Sequence, residues 1–258
     1  MYKRQFLLST GLSIPLPRFK IKIQYDGTGF SGWQLQKKER TIQGEIEAAL
    51  KILNEGKIVR IHGAGRTDTG VHSIGQIAHF DFQTDLDSCE LKDAINGNLP
   101  RDIRVMECLV VPAEFHARFS ATQRHYIYRC RMDDFLLDRN YTWHTGPMDC
   151  DILNEAAQSI IGNHDFTSFS KNNEDLDHRH CIIRDSFWNE DGSVINYHVS
   201  ANRFLHHMVR YLVGTMVEIS RGKYKLEKYK NLIDYPVENV QIYKAPPRGL
   251  VLTQVDYD

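Results

Sequence analysis

The chain has 258 residues, 41% hydrophobic and 25% charged, an ordinary globular composition that excludes wholesale disorder. No apolar run reaches the 18 or more residues that a spanning helix needs, so a transmembrane helix is excluded. The formal net charge of −1 excludes a uniformly basic nucleic-acid binder but not a locally basic one.

The segment Met1–Pro17 is basic and mildly apolar, without a continuous h-region or a small-residue cleavage site. A secretory signal is not expected, and residues 1–18 read as a disordered leader. Phe19–Tyr25 alternates apolar and polar residues, as a half-buried strand does. A Gly-rich loop follows, from Asp26 to Trp33. Thr41 caps a helix whose apolar face is Ile46, Ala49, Leu50 and Leu53. Lys57–His62 and Gln76–Phe82 read as strands around a second Gly-rich loop. Ser88–Asn96 reads as a helix and Ile103–Val111 as a fourth strand.

The same order then recurs. His125–Met132 is a predicted strand, and Asp149–Ile161 a helix stopped by Gly162. Cys181–Trp188 and Val194–Ala201 flank an Asp-Gly turn at Asn189–Gly192 and form a hairpin. Asn202–Glu218 is a long amphipathic helix. Within Arg221–Leu232 a short exposed helix is expected, its lysines and tyrosines suited to an RNA backbone. Leu250–Val255 closes the pattern as a strand. A doubled β-α-β-β-α-β order predicts an α+β fold of two ferredoxin-like halves, residues 19–114 and 115–258, meeting near Pro112–Thr122.

Charge is unevenly spread. Arg203, Arg210, Arg221, Lys223, Lys225, Lys228 and Lys230 face only Glu218 and Glu227 between residues 201 and 230. Between residues 133 and 192 acidic residues outnumber Arg139, Lys171, Arg179 and Arg184. Such polarity lets one face attract phosphates, or is simple scatter on a solvated surface. The cysteines are odd in number and contain no C-x-x-C, which implies reduced thiols in a cytoplasmic protein and no zinc ribbon. His178-x-His180-Cys181 matches no closed zinc pattern.

The segment Gly63-Ala64-Gly65-Arg66-Thr67-Asp68-Thr69-Gly70-Val71-His72 is the most informative. Its glycines permit a tight turn and close approach of a ligand. It lacks the G-K-[S/T] of a Walker A loop, and a predicted strand follows where a dinucleotide fingerprint needs a helix. An arginine close to a carboxylate favours its ionised form, and such a carboxylate can act as nucleophile or general base. The loop alone leaves two readings open: a catalytic Asp68, or an Arg66–Asp68 pair that stabilises its own turn.

Gly65–His72 resembles, without a gap, the G-R-T-D-x-G-V-H loop of the TruA family of tRNA pseudouridine synthases. The resemblance extends to Tyr25-Asp26-Gly27 and Gly32-Trp33-Gln34, to Asn98-Leu99-Pro100, and to Phe115–Thr122. It continues through Asp165–Phe169, His206-His207-Met208-Val209-Arg210 and Gly249-Leu250, so it spans nearly the whole chain from Phe19 to Tyr257. It implies isomerisation of uridine to pseudouridine at tRNA positions 38, 39 and 40, in the anticodon stem-loop, on a base flipped from its stack. Neither cofactor nor metal is implied. Asp68 is the implied catalytic residue, by covalent addition or by removal of the ribose 2′ proton. Arg66 would hold the flipped nucleotide, Tyr126 would stack on the base and shuttle the C5 proton, and Arg210 would pair with Asp68 and orient it. A homodimer gripping tRNA is implied as well.

Other residues read as structural. Trp33, Trp143, Phe166 and Phe169 suit packing. His206-His207 suits packing and RNA contact better than metal ligation. Two rival functions remain: a silent RNA-binding module on the same scaffold, and a nucleotide- or phosphate-binding enzyme using the Gly63–Gly70 loop.

Overall fold

In the computed structural model, which describes residues 16–171 and 178–258, ten strands form one mixed sheet with five helices. The expected leader lies almost wholly outside the described residues. β1 (Arg18–Tyr25) buries Phe19, Ile21, Ile23 and Tyr25 on one face, as its alternation predicts. α1 (Ile42–Leu53) starts where the Thr41 hydroxyl accepts the Gly44 N–H. β2 is only His62–Gly63, and β3 runs from His72 to Asp81. α2 (Ser88–Asn98) opens on a reciprocal capping box between Asp87 and Glu90, and β4 is Ile103–Val111 as expected.

The second half comprises β5 (Ala121–Arg131), the two-residue β6 (Trp143–His144), α3 (Cys150–Gln158) and β7 (Gly162–Asp165). It continues with β8 (His180–Asp191), β9 (Val194–Ala201), α4 (Met208–Ser220), α5 (Leu226–Asp234) and β10 (Leu250–Tyr257). The strand order is β4-β1-β3-β10-β5-β9-β8-β7, with β2 on β3 and β6 on β5. Each half therefore repeats the ferredoxin-like order of fourth, first, third, second strand. All pairings within a half's four-strand motif are antiparallel. The halves join through a short parallel pairing, Val251 and Leu252 of β10 with His72 and Ser73 of β3.

Three expectations need correction. Lys57–Ile61 is not a strand. Its alternation is real, with Val59 and Ile61 buried, but the Ile61 N–H donates to Glu47 Oε1 at 3.2 Å instead of entering a ladder. The long C-terminal helix begins at Met208, not Asn202. Asn202 Oδ1 accepts the Ile182 N–H, its carbonyl accepts Arg124 Nη1, and the His206 carbonyl accepts the Lys171 N–H, so this backbone is committed elsewhere. The supposedly exposed helix after Arg221 is half core: Tyr229 is fully buried against Phe169, with ring centroids 5.1 Å apart, and Tyr224 is buried too. Its polar face, with Glu227, Lys228, Asn231 and Asp234, is what meets water.

Two apolar cores result, one beneath each half. Phe166, Phe169 and Trp33 are buried packing residues, as expected. All the cysteines are free thiols. Among the described residues no helix is long and apolar enough to cross a membrane.

Candidate active site

The second edge of β3 is divided. β10 covers its start at His72 and Ser73, and β2 covers its end at Ala78 and His79. The loop from Ala64 to Val71 spans the gap between them. Both its ends are buried in the core of the other half, in the cluster that contains Tyr126 and Met208.

The loop is fastened along its length. Gln76 Nε2 donates to the Gly65 carbonyl at 2.9 Å, and Arg124 Nη2 to the Ala64 carbonyl at 3.1 Å. The Trp33 N–H donates to the Thr67 carbonyl at 3.0 Å, while the Tyr25 hydroxyl meets Thr67 Oγ1 at 2.8 Å. Val71 N–H closes the turn on the Asp68 carbonyl. Two glycines make this fit possible. A Cβ on Gly27 would lie 2.1 Å from the Val71 carbonyl oxygen; one on Gly32, whose φ is +90°, would lie 2.7 Å from that of Thr67. The Tyr25–Trp33 segment is thus the clamp of the Asp68 loop. His72 completes it: Nδ1 accepts the Gly27 N–H, and Nε2 faces the carbonyls of Asn140 and Arg248.

Asp68 projects toward the first turn of α4. Arg210 Nη1 donates to Asp68 Oδ2 at 2.9 Å, and the pair bridges the two halves. Arg210 is itself buried and is held by Nε donating to the Ala245 carbonyl at 2.9 Å. His206 Nε2 lies 3.6 Å from Oδ1 and His207 Nε2 lies 3.5 Å from Oδ2. Burial, opposed by Asp68 and aided by His206, Lys244 and Arg210, pulls His207 down to about 4. Burial likewise lowers His206, with Lys171 and Lys244 adding to the effect against Asp68. Both rings are therefore neutral near pH 7.

Tyr126 stands at the same junction, 9% exposed, its ring edge-on to Phe204 at 5.1 Å. Burial first, then Tyr25 and Asp68, push its phenol well above the usual range. Its neighbour on the same strand face, Tyr128, is pure core and donates to the Pro246 carbonyl. Arg66 is exposed and, among the described residues, bonds neither Asp68 nor its own turn. The reading of a self-stabilising Arg66–Asp68 turn is therefore wrong, and the partner of Asp68 comes from the other half.

The structure brings Asp68, Tyr126 and Arg210 together and leaves Arg66 at the rim. Sequence reasoning passed over the histidine pair as packing or RNA contact, although His207 stands three residues before Arg210. It had no signal for Gln76 or for the Arg124 anchor. Asp68, His206 and His207 offer donor atoms all within 4.8 Å of one another and could hold a metal ion. The Arg210 guanidinium already neutralises that carboxylate, however, and would stand beside any bound cation. The donor set thus suits a carboxylate working as base or nucleophile.

Comparison with known proteins gives the family. Residues 21–120 and 156–258 match the family model described as tRNA pseudouridine synthase. The tRNA pseudouridine synthase A of Anoxybacillus flavithermus is 39% identical over 246 residues, covering 93% of this chain and 99% of its own. That of Maricaulis maris is 39% identical over 246 residues, covering 94% and 98%. A chain in the crystal structure of a Cbf5-Nop10-Gar1 complex covers 91% of this chain at 10% identity and a TM-score of 0.36, too loose a likeness to add to the strand order. The chain belongs to the tRNA pseudouridine synthase family.

Proposed function

We propose that this enzyme isomerises uridine to pseudouridine at positions 38, 39 and 40 of tRNA, with Asp68 as the catalytic residue acting on a flipped nucleotide. The N1–C1′ bond breaks, the uracil turns, and a C5–C1′ bond forms; C5 loses a proton and N1 gains one, so nothing is oxidised. Asp68 starts the reaction by adding covalently or by taking the ribose 2′ proton. The observation that carries this reading is the ion pair from Arg210 to Asp68 Oδ2 across the junction of the halves. It holds Oδ2, while Oδ1 faces, among the described residues, only the half-exposed His206 ring, at 3.6 Å, and is the oxygen on the side open to the nucleotide.

The other residues follow from their settings. Arg66, exposed on the same loop and without a hydrogen bond among the described residues, supports a role in holding the flipped nucleotide. Tyr126 has a flat face at the junction and a phenol that stays protonated at neutral pH, which favours stacking and hydrogen bonding over a role as a phenolate base. Flipping costs a few kcal/mol, offset by phosphate contacts. Lys171 and Lys244, near the histidine pair, supply positive charge at the site. A homodimer that grips the tRNA body with one subunit, in the cytoplasm, belongs to the same reading; sedimentation of the purified protein checks the assembly.

The test uses tRNA tritiated at C5 of uridine. Wild-type protein releases tritium, and Asp68→Ala lowers release by more than about a thousandfold while tRNA affinity is retained. Mapping pseudouridines in tRNA from cells without the gene gives the positions, and loss outside 38–40 overturns the substrate assignment.

A further inference from the structure

His207 is the one non-glycine residue of the site with a left-handed backbone. Its φ of 65° and ψ of 0° place it in the left-handed region, which imidazole side chains occupy far less readily than glycine does. It precedes α4 without capping it through its side chain. The strain therefore contributes no cap to the helix. What it does is turn the ring inward, where 15% of the side chain remains exposed and Nε2 faces Asp68 Oδ2. The other ring nitrogen, Nδ1, is buried with no hydrogen-bond partner. A dry, unpartnered Nδ1 is best left as the bare nitrogen, which puts the proton of the neutral ring on Nε2, toward the carboxylate. The present 3.5 Å separation is just beyond a good hydrogen bond, as is common before substrate closes a site.

We propose that His207 is a positioning residue for Asp68: its Nε2–H joins Arg210 in fixing Oδ2, so that the carboxylate turns Oδ1, faced among the described residues only by the half-exposed His206 at 3.6 Å, to the nucleotide. Two donors from one helix start, separated by three residues, would clamp the same oxygen. Locking the rotamer of the reacting group is where a modest contact yields a large rate effect, because turnover depends on the fraction of carboxylates correctly aimed. The inference rests on the assignment of Asp68 as the catalyst.

Three variants separate the side chain from the backbone. Asn tolerates the left-handed conformation but its amide is too short to reach Oδ2; Gly relieves the strain and has no side chain; Gln carries an amide N–H to the same distance. Single-turnover tritium release at saturating tRNA is measured beside tRNA affinity and thermal midpoint. The expected result is a rate at least about tenfold lower in His207→Asn and His207→Gly. Affinity should stay within about twofold, midpoints should be unlowered, and His207→Gln should recover most of the rate. If His207→Asn turns over like wild type, or if all three variants lose rate only in step with affinity and thermal midpoint, the proposal is overturned. Asp68→Asn is run alongside: activity in that variant sinks the catalytic assignment itself, whereas an inactive Asp68→Asn beside a fully active His207→Asn sinks this inference alone.

Discussion

The two halves share one strand order but differ at its second strand. In the C-terminal half β8 is twelve residues long and pairs with β9 from Ile183 to Asp191. In the N-terminal half the equivalent β2 has two residues. The chain thereby released becomes the Asp68 loop, held by side chains and glycine contacts instead of a ladder. One half spends that position on stability and the other on a reacting group. A duplicated fold can thus carry a single active site, because only one copy opened an edge.

The contrast can be broken most sharply at glycines. Gly32 has φ +90° and backbone within 2.7 Å of a built Cβ, whereas Gly192, in the β8–β9 turn, has φ +60° and open space around it. Gly32→Ala should cost on the order of 3 kcal/mol and lower turnover more than tenfold, since strain and overlap both act on the Asp68 loop. Gly192→Ala should cost about 1 kcal/mol and leave turnover unchanged. Urea midpoints and tritium release for the pair decide it; equal effects on turnover would erase the distinction between the halves.

A second contrast is in acid. His79, opposite His62 in the shortened ladder, is 3% exposed, and its Nδ1 accepts the Ala117 N–H. Burial, then His116, Arg18 and His62, pull it down to about 4 from 6.5. The unfolded chain therefore binds this proton first. The stabilisation is fully present above pH 6.5 and is lost as pH falls toward 4, on the order of 2–3 kcal/mol. Urea titrations across that range should show a flatter acid limb in His79→Gln.

The smallest effect sharpens the comparison. Each half buries one hydroxyl pair, Tyr25 with Thr67 and Ser186 with Tyr197, both at 2.8 Å. Tyr25→Phe and Ser186→Ala should each cost about 1 kcal/mol. Only Tyr25→Phe should also slow tritium release, because Thr67 adjoins Asp68.

Local pattern was enough for much of this. The alternation of β1, the Thr41 cap of α1, and the bounds of β4 and β9 follow from period and capping chemistry within a few residues. Lys57–Ile61 misleads because the group that satisfies its backbone, Glu47, lies on a helix. Asn202–His207 misleads because its partners, Ile182, Arg124 and Lys171, are remote in sequence. The same remoteness hides the clamp: nothing near Thr67 announces Tyr25, and nothing near Arg210 announces Asp68. Arg210 was legible only through family likeness, and His207 only once its backbone was seen.

The parallel junction of β3 with β10 has a consequence for how the molecule assembles. Ser73 Oγ donates to the Leu252 carbonyl at 3.0 Å, across 179 positions of chain. Closing so large a loop is entropically costly and pays back only after both flanking sheets exist. On refolding from denaturant, helical signal and tyrosine burial should therefore return in each half before the seam zips. Recovery of catalysis should trail both, as a separate and slower kinetic phase.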